Sequence, residues 1–157
     1  MIGNIEMWGV LFSFIALLVS IFSYYKSTLT MRNTLVVDSV NLFLTNKDYQ
    51  ELFYSIEHNK FRYDSESFLG SSNERTLDSM LKHLSLIADA YEEKLITKAG
   101  IQKLSYYMVS IMGNQEVRSY FKNLESVMNE VKSLNIQHPF RSLFRVYKTL
   151  WDPGFSL

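Results

Sequence analysis

Cysteine is absent from the 157 residues, which excludes disulfides, thiolate nucleophiles and Cys-containing zinc sites. Proline occurs twice and glycine six times, so turn-forming residues are scarce and long helices are favoured over a many-turned β-fold. Basic residues are missing from the first 25 positions, where Glu6 is the only charge. All sixteen Lys and Arg lie at or beyond Lys26, so the net charge of zero hides a strong asymmetry. Aromatic residues, by contrast, are plentiful: eleven Phe, ten Tyr and two Trp. Hydrophobic content of 47% with 20% charged residues marks a chain that can fold, and its length leaves room for one domain and one anchor. A soluble part without cysteine fits a reducing cytosol.

Between Glu6 and Lys26 lie nineteen uncharged residues, Met7 to Tyr25. As a helix they extend about 28 Å, close to the ~30 Å of a bilayer's hydrocarbon core. Trp8 stands at one end and Tyr24 and Tyr25 at the other, where amphipathic rings prefer the membrane interface. A cleavable signal peptide needs a basic leading region, a shorter apolar core and small residues around the cleavage site. Here the leading region is acidic, the core is long, and Ile21, Phe22 and Tyr24 crowd the nearest serines. The segment therefore reads as an anchor. Lys26 and Arg32 flank its C-terminal end alone, so the excess of cytoplasmic positive charge puts the N-terminus outside and the larger part in the cytoplasm.

Gly9, Ser13, Ala16, Ser20 and Ser23 recur along this helix at spacings of 4, 3, 4 and 3, and Ser27, Thr30 and Thr34 continue the register. Such a period places small residues on one narrow seam, where two helix backbones can approach closely in lipid. Self-association of the anchors into a homo-oligomer is expected, with a hydroxyl-lined pore as a further step. Chance is the competing reading, because small residues are common in membrane helices.

The remainder reads as helices throughout. From Lys26 to Leu44 no Gly or Pro interrupts, and Leu35, Val36, Val40 and Phe43 form an apolar stripe. Thr45-Asn46-Lys47-Asp48 has capping-box spacing and starts a helix carrying Tyr49, Leu52, Phe53 and Ile56 inward. Residues 60–73 read as the one substantial loop. Leu77, Leu81, Leu84, Ala88, Tyr91 and Leu95 then predict a helix from Glu74 to Leu95, with Asp78, Lys82, Asp89 and Glu92 facing away. Thr97 caps a fourth helix with Ile101, Leu104, Met108 and Ile111 inside, ended by Gly113. Asn114 caps a fifth, whose apolar face runs through Val117, Tyr120, Leu124, Val127, Val131 and Leu134. His138-Pro139 starts a last helix, Phe140 to Trp151, which Asp152-Pro153-Gly154 stops. The fold class is all-α: a transmembrane helix at 7–25, a continuous juxtamembrane helix at 26–45, and a cytosolic bundle of about five to six helices at 46–157.

Signatures of catalysis are missing. No glycine-rich phosphate loop, GxSxG or HExxH occurs, and His58, His83 and His138 share no helical face with carboxylates at ligand spacing. Seven residues separate Arg75 from His83, too many for the Arg–His pair of a HEPN-type ribonuclease. Asp89, Glu92 and Glu93 read as an exposed acidic face rather than a metal site. Neither an enzyme nor a cofactor or metal is expected.

The informative segment is the last helix. Arg141, Arg145 and Lys148 form a basic stripe at i, i+4, i+7, and Phe140, Phe144, Tyr147 and Trp151 an adjacent aromatic one. The stripes suit an aromatic core face with a solvated basic rim, a helix lying on anionic lipid, or recognition of a phosphorylated ligand. In the third reading Arg141, Arg145 and Lys148 hold phosphates, Tyr147 stacks, and Lys132 and His138 contribute.

The segment LKHLSLIADAYEEKLITKAGIQKLSYYMVS, followed by VRSYFKNLE, resembles an uncharacterised bacterial family that pairs one N-terminal span with a helical bundle, a likeness covering residues 7 to about 128. The plan of size, span and helical domain also resembles the small membrane-anchored accessory effectors of type III CRISPR systems. In that group a cytosolic domain senses cyclic oligoadenylate and the membrane part carries the antiviral effect. The resemblance implies a bacterial inner-membrane location and a cyclic oligonucleotide as partner, beside membrane lipid and without duplex nucleic acid. No functional residue is carried over from either group. The leading expectation is thus a non-enzymatic membrane effector, and the alternative is an anchored adaptor that binds a protein partner through its helical faces.

Overall fold

Forty-four residues, Ile2–Thr45, form a single helix, α1, in the computed structural model of the chain, which describes residues 2–130 and 138–156. The absence of Gly and Pro between Gly9 and Thr45 leaves nothing to break it. Two compact units result, Met1–Leu35 and Val36–Leu157. In the first, the described side chains from Trp8 to Ser27 are exposed, among them Phe22 at 67% and Tyr24 at 76%. The helix is long and apolar enough to span a membrane.

The second unit begins at Val36, inside the expected juxtamembrane segment, because Val36 and Phe43 are buried in its core. Its further elements are α2 (Lys47–Glu57), α3 (Ser65–Phe68), α4 (Ser72–Glu92), α5 (Lys98–Gln102), α6 (Ser105–Gly113), α7 (Gln115–Glu130) and α8 (Arg141–Leu150). Every regular element among the described residues is helical, as the apolar periods require. The central helix is α4, which packs against α2, α5 and α8, while α6 packs against α2, α7 and α8. Leu77, Met80, Leu81, Leu84, Ile87 and Ala88 line its inward face.

Caps set the boundaries and move several of the expected ones. Asn46, not Thr45, caps α2: its side-chain oxygen accepts from the Tyr49 N–H at 3.1 Å, while the Thr45 hydroxyl donates back to the Asn41 carbonyl. Both α2 and α4 end in Schellman motifs built without glycine. Asn59 and Lys94 take φ of 53° and 61°, and the N–H of the next residue reaches back to the carbonyls of Ser55 and Ala90. This turn ends α4 at Glu92 and leaves Leu95 46% exposed, so the predicted continuation to Leu95 fails; the apolar period persists past the point where the backbone reverses.

Two more expectations are corrected. The 60–73 segment contains α3, capped by Asp64, and it buries Phe61 and Phe68. The helix predicted after Thr97 is divided into α5 and α6, because the Lys103 and Leu104 amides bond three residues back and tighten the chain. A Cβ on Gly100 would stand 3.0 Å from Ile96 Cγ2 and 3.3 Å from Val36 Cγ2, so glycine lets α5 close onto these side chains. Asn114 caps α7 as expected, accepting from the Glu116 and Val117 amides, and its side-chain N–H2 also donates to the Ile56 carbonyl at the end of α2. Val131 and Leu134 lie outside the described residues.

Candidate functional site

α8 divides its residues by face. Phe140, Leu143, Val146 and Tyr147 are buried, and Arg141, Arg145 and Lys148 are exposed. A ten-residue helix with apolar positions at i, i+3, i+6 and i+7 can satisfy both demands only by turning the basic stripe outward. Two contacts fix where it starts. The His138 Nδ1 accepts from the Phe140 N–H at 3.1 Å, and the Ser85 hydroxyl of α4 donates to the Pro139 carbonyl at 3.2 Å.

The exposed face borders an open depression of about 400 Å³, lined by Arg141, Arg145, Lys148, His138, Phe144 and Phe155, with Glu125 and Ser156 completing its wall. Four of the six residues expected to bind a ligand thus meet in one place. Tyr147 does not: at 4% exposed it packs against Phe155 at a ring distance of 5.0 Å and faces the core. Phe140 is likewise fully buried, so the stacking expected of Tyr147 is replaced by core packing. Lys132 lies outside the described residues.

Charges around the depression are already organised. The Arg145 guanidinium donates through Nε and a terminal nitrogen to both carboxylate oxygens of Glu92 at the end of α4. That bidentate bond, with the Glu92 and Asp89 charges, holds the Arg145 pKa above its ordinary value. Burial pushes the His138 imidazole below the usual histidine range, against the pull of Glu125. Because Nδ1 accepts a hydrogen bond, the neutral ring carries its proton on Nε2. Its ring lies 4.7 Å from that of Phe144.

Four contributors were not singled out by sequence reasoning: Phe155, Ser156, Glu125 and Glu92 as an ion-pair partner. Phe155 is brought back by the Asp152-Pro153-Gly154 turn, where its N–H donates to the Asp152 carbonyl at 2.9 Å. Arg118 of α7 secures that turn, 3.5 Å from the Asp152 carboxylate and 5.0 Å from the Phe155 ring centre. An aromatic one residue past a Pro-Gly pair was the available signal. Glu92 gave none, because its partner lies 53 positions away.

Elsewhere, a hollow of about 310 Å³ between α2 and α4 is lined by Asp48, Glu51, Ser55, Ser72, Asn73 and Thr76. Tyr120 of α7 is buried and donates to Asp78, which pairs with Lys82; burial and the Asp78 charge raise its pKa well above the ordinary tyrosine value. No group of three or more metal-ligating acids and histidines gathers among the described residues. No protein-family model, curated protein or solved structure matches the chain.

Proposed function

We propose that this chain is a single-span, non-enzymatic membrane effector whose cytosolic helical unit binds an anionic ligand at the α8 depression. One observation carries the membrane half. α1 presents apolar side chains to the outside on every face from Leu11 to Phe22, a surface that water does not tolerate and hydrocarbon does. A helix apolar all round is a membrane span or the centre of a large core, and these side chains are exposed.

The ligand half rests on three cations, Arg141, Arg145 and Lys148, set around one concave surface with the ring of Phe144 and the tail aromatic Phe155. Guanidinium and ammonium groups at this spacing suit phosphate oxygens, and the rings suit an apolar or aromatic body. A cyclic oligonucleotide has that chemistry, and the likeness to type III CRISPR accessory effectors makes a cyclic oligoadenylate the first candidate. In the full chain in detergent, Arg141→Glu with Arg145→Glu is expected to weaken cyclic oligoadenylate binding at least tenfold, since each lost charge-assisted bond is worth about 1.5–3 kcal/mol. Unchanged affinity, or no binding by the unaltered protein, removes this ligand. The adaptor reading then takes over, supported by exposed Leu86 and Tyr106 on the helical unit.

Ligand binding acts on the membrane through a difference in affinity between two arrangements of the assembled helical units, which the α1 chain connects to the anchors. The anchors associate along Gly9, Ser13, Ala16, Ser20 and Ser23, all exposed on α1. The Ser13 hydroxyl bonds the Gly9 carbonyl of its own helix at 2.9 Å, so the seam works by close backbone approach more than by hydroxyl bonds across it. Ser13→Leu with Ser20→Leu is expected to reduce the oligomer mass in detergent, by light scattering; an identical mass would exclude the seam.

A further inference from the structure

The geometry points to Glu92 as a built-in stand-in for the ligand's anionic group: a phosphate or carboxylate that binds the α8 depression does so by taking the place of Glu92 on Arg145. This inference rests on the reading of the depression as an anion site and adds how that site is regulated.

A carboxylate filling the Arg145 fork occupies the same two donors that a phosphate would use. The pair is reachable: the Arg145 side chain is 54% exposed and that of Glu92 26%. Glu92 also stands at the wrong end of its helix. It closes α4, where the carbonyl ends of the backbone dipoles disfavour negative charge, and Glu93 follows it directly. Asp89, one turn earlier, adds to the same repulsion. Arg145 is thus what keeps Glu92 in place, and the acid is poised to leave once a stronger anion arrives. Beside it, Lys148 is exposed one turn further along α8, and no acid pairs with it among the described residues. A phosphate entering the depression meets Arg145 and Lys148 together, whereas Glu92 engages Arg145 alone.

Displacement has a structural consequence, because Glu92 and Arg145 join the last turn of α4 to the middle of α8. The turn that follows, with Lys94 in the left-handed region, is held by backbone bonds to Ala90 and Tyr91 and remains when the ion pair opens. Ligand binding therefore frees the two helices from this link without unfolding either.

An exposed pair of this kind resists displacement only a few-fold, about 1.4- to fivefold in affinity. The test is titration of the full chain in detergent with inorganic pyrophosphate, followed by calorimetry. Glu92→Gln keeps the shape and removes the charge, and it is expected to bind pyrophosphate about three- to fivefold tighter. Asp89→Asn removes the same charge nearby without freeing the Arg145 fork, and it is expected to change affinity less than twofold. The Arg145 side-chain Nε–H signal, assigned by its loss in Arg145→Lys, is expected to move on pyrophosphate addition. Equal affinities for Glu92→Gln and the unaltered protein overturn the displacement while leaving the anion site standing. Equal gains from Glu92→Gln and Asp89→Asn overturn it as well, because they show a general field effect. Failure of every variant to bind overturns both the displacement and the site. A short-chain phosphatidylglycerol titrated in the same way tells a lipid headgroup from a soluble phosphate; a gain for Glu92→Gln with either supports the exchange.

Discussion

Leu17→Arg is expected to abolish stable membrane integration while leaving the helical unit folded. Leu17 lies near the centre of the uncharged stretch and is 56% exposed on α1. An arginine at the midpoint of a spanning helix costs about 2.5–3.5 kcal/mol, and the leucine it replaces contributes roughly half a kcal/mol in favour. Together they shift the partition by roughly a hundredfold or more. Among the described residues, the buried core begins at Val36, so its near-ultraviolet circular dichroism should not change. Alkaline carbonate extraction of cell membranes reads the outcome: the unaltered chain stays in the pellet and the variant moves to the supernatant. A carbonate-resistant variant, or an unaltered chain that washes off, would remove the membrane span from the account of this protein.

Phe121→Ala should destabilise the helical unit by about 3–5 kcal/mol, the largest effect expected of any single truncation beneath the α8 site. Phe121 is fully buried on α7, with its ring 4.9 Å from that of Phe144 and 5.8 Å from that of Phe140. Both of those rings belong to the segment that carries the basic stripe, so the cavity would open directly under the wall of the depression. A unit of this size is stable by some 5–15 kcal/mol, and the loss is a large fraction of that. Urea unfolding, followed through Trp151 fluorescence in a Trp8→Phe background, measures it. A loss below about 1 kcal/mol would mean that α7 does not support α8 in the way the packing shows. The two variants divide the molecule: the first acts on the apolar part of α1 and the second on the helical unit that carries the α8 depression.

Much of the helical unit is legible in the sequence because amphipathic period and capping are local. Tyr49, Leu52, Phe53 and Ile56 lie on the buried face of α2 as expected, and Ile101, Leu104, Met108 and Ile111 are all buried even though the predicted helix is split between α5 and α6. Asn114 and Thr97 cap where their side-chain spacing says they do. Errors cluster where a nonlocal contact or a left-handed residue overrides the period. Lys94 ends α4 early without the glycine that would have announced it. Phe68 packs against Tyr63 and Tyr120 and draws Phe61 in against its own ring, within a stretch whose polar composition reads as a loop.

The candidate site shows the same division. Spacing alone places Arg141, Arg145 and Lys148 on one side of α8, since three residues four and three apart must share a helical face. It cannot say which of two adjacent stripes turns inward, so an aromatic core face and a Tyr147 that stacks on a ligand are both open from spacing alone. Tertiary packing decided the matter: Phe155, folded back by the Asp152-Pro153-Gly154 turn, covers Tyr147 and leaves Phe144 at the edge of the depression.

By itself the sequence determined that α1 is uncharged over nineteen residues and that the rest is helical, because transfer free energy and helical period are properties of neighbouring residues. Tertiary structure alone decided that Glu92 meets Arg145, that Phe155 walls the depression and that Tyr147 is lost to the core. Those outcomes depend on groups far apart in the chain competing for the same surface, and no local pattern records who wins.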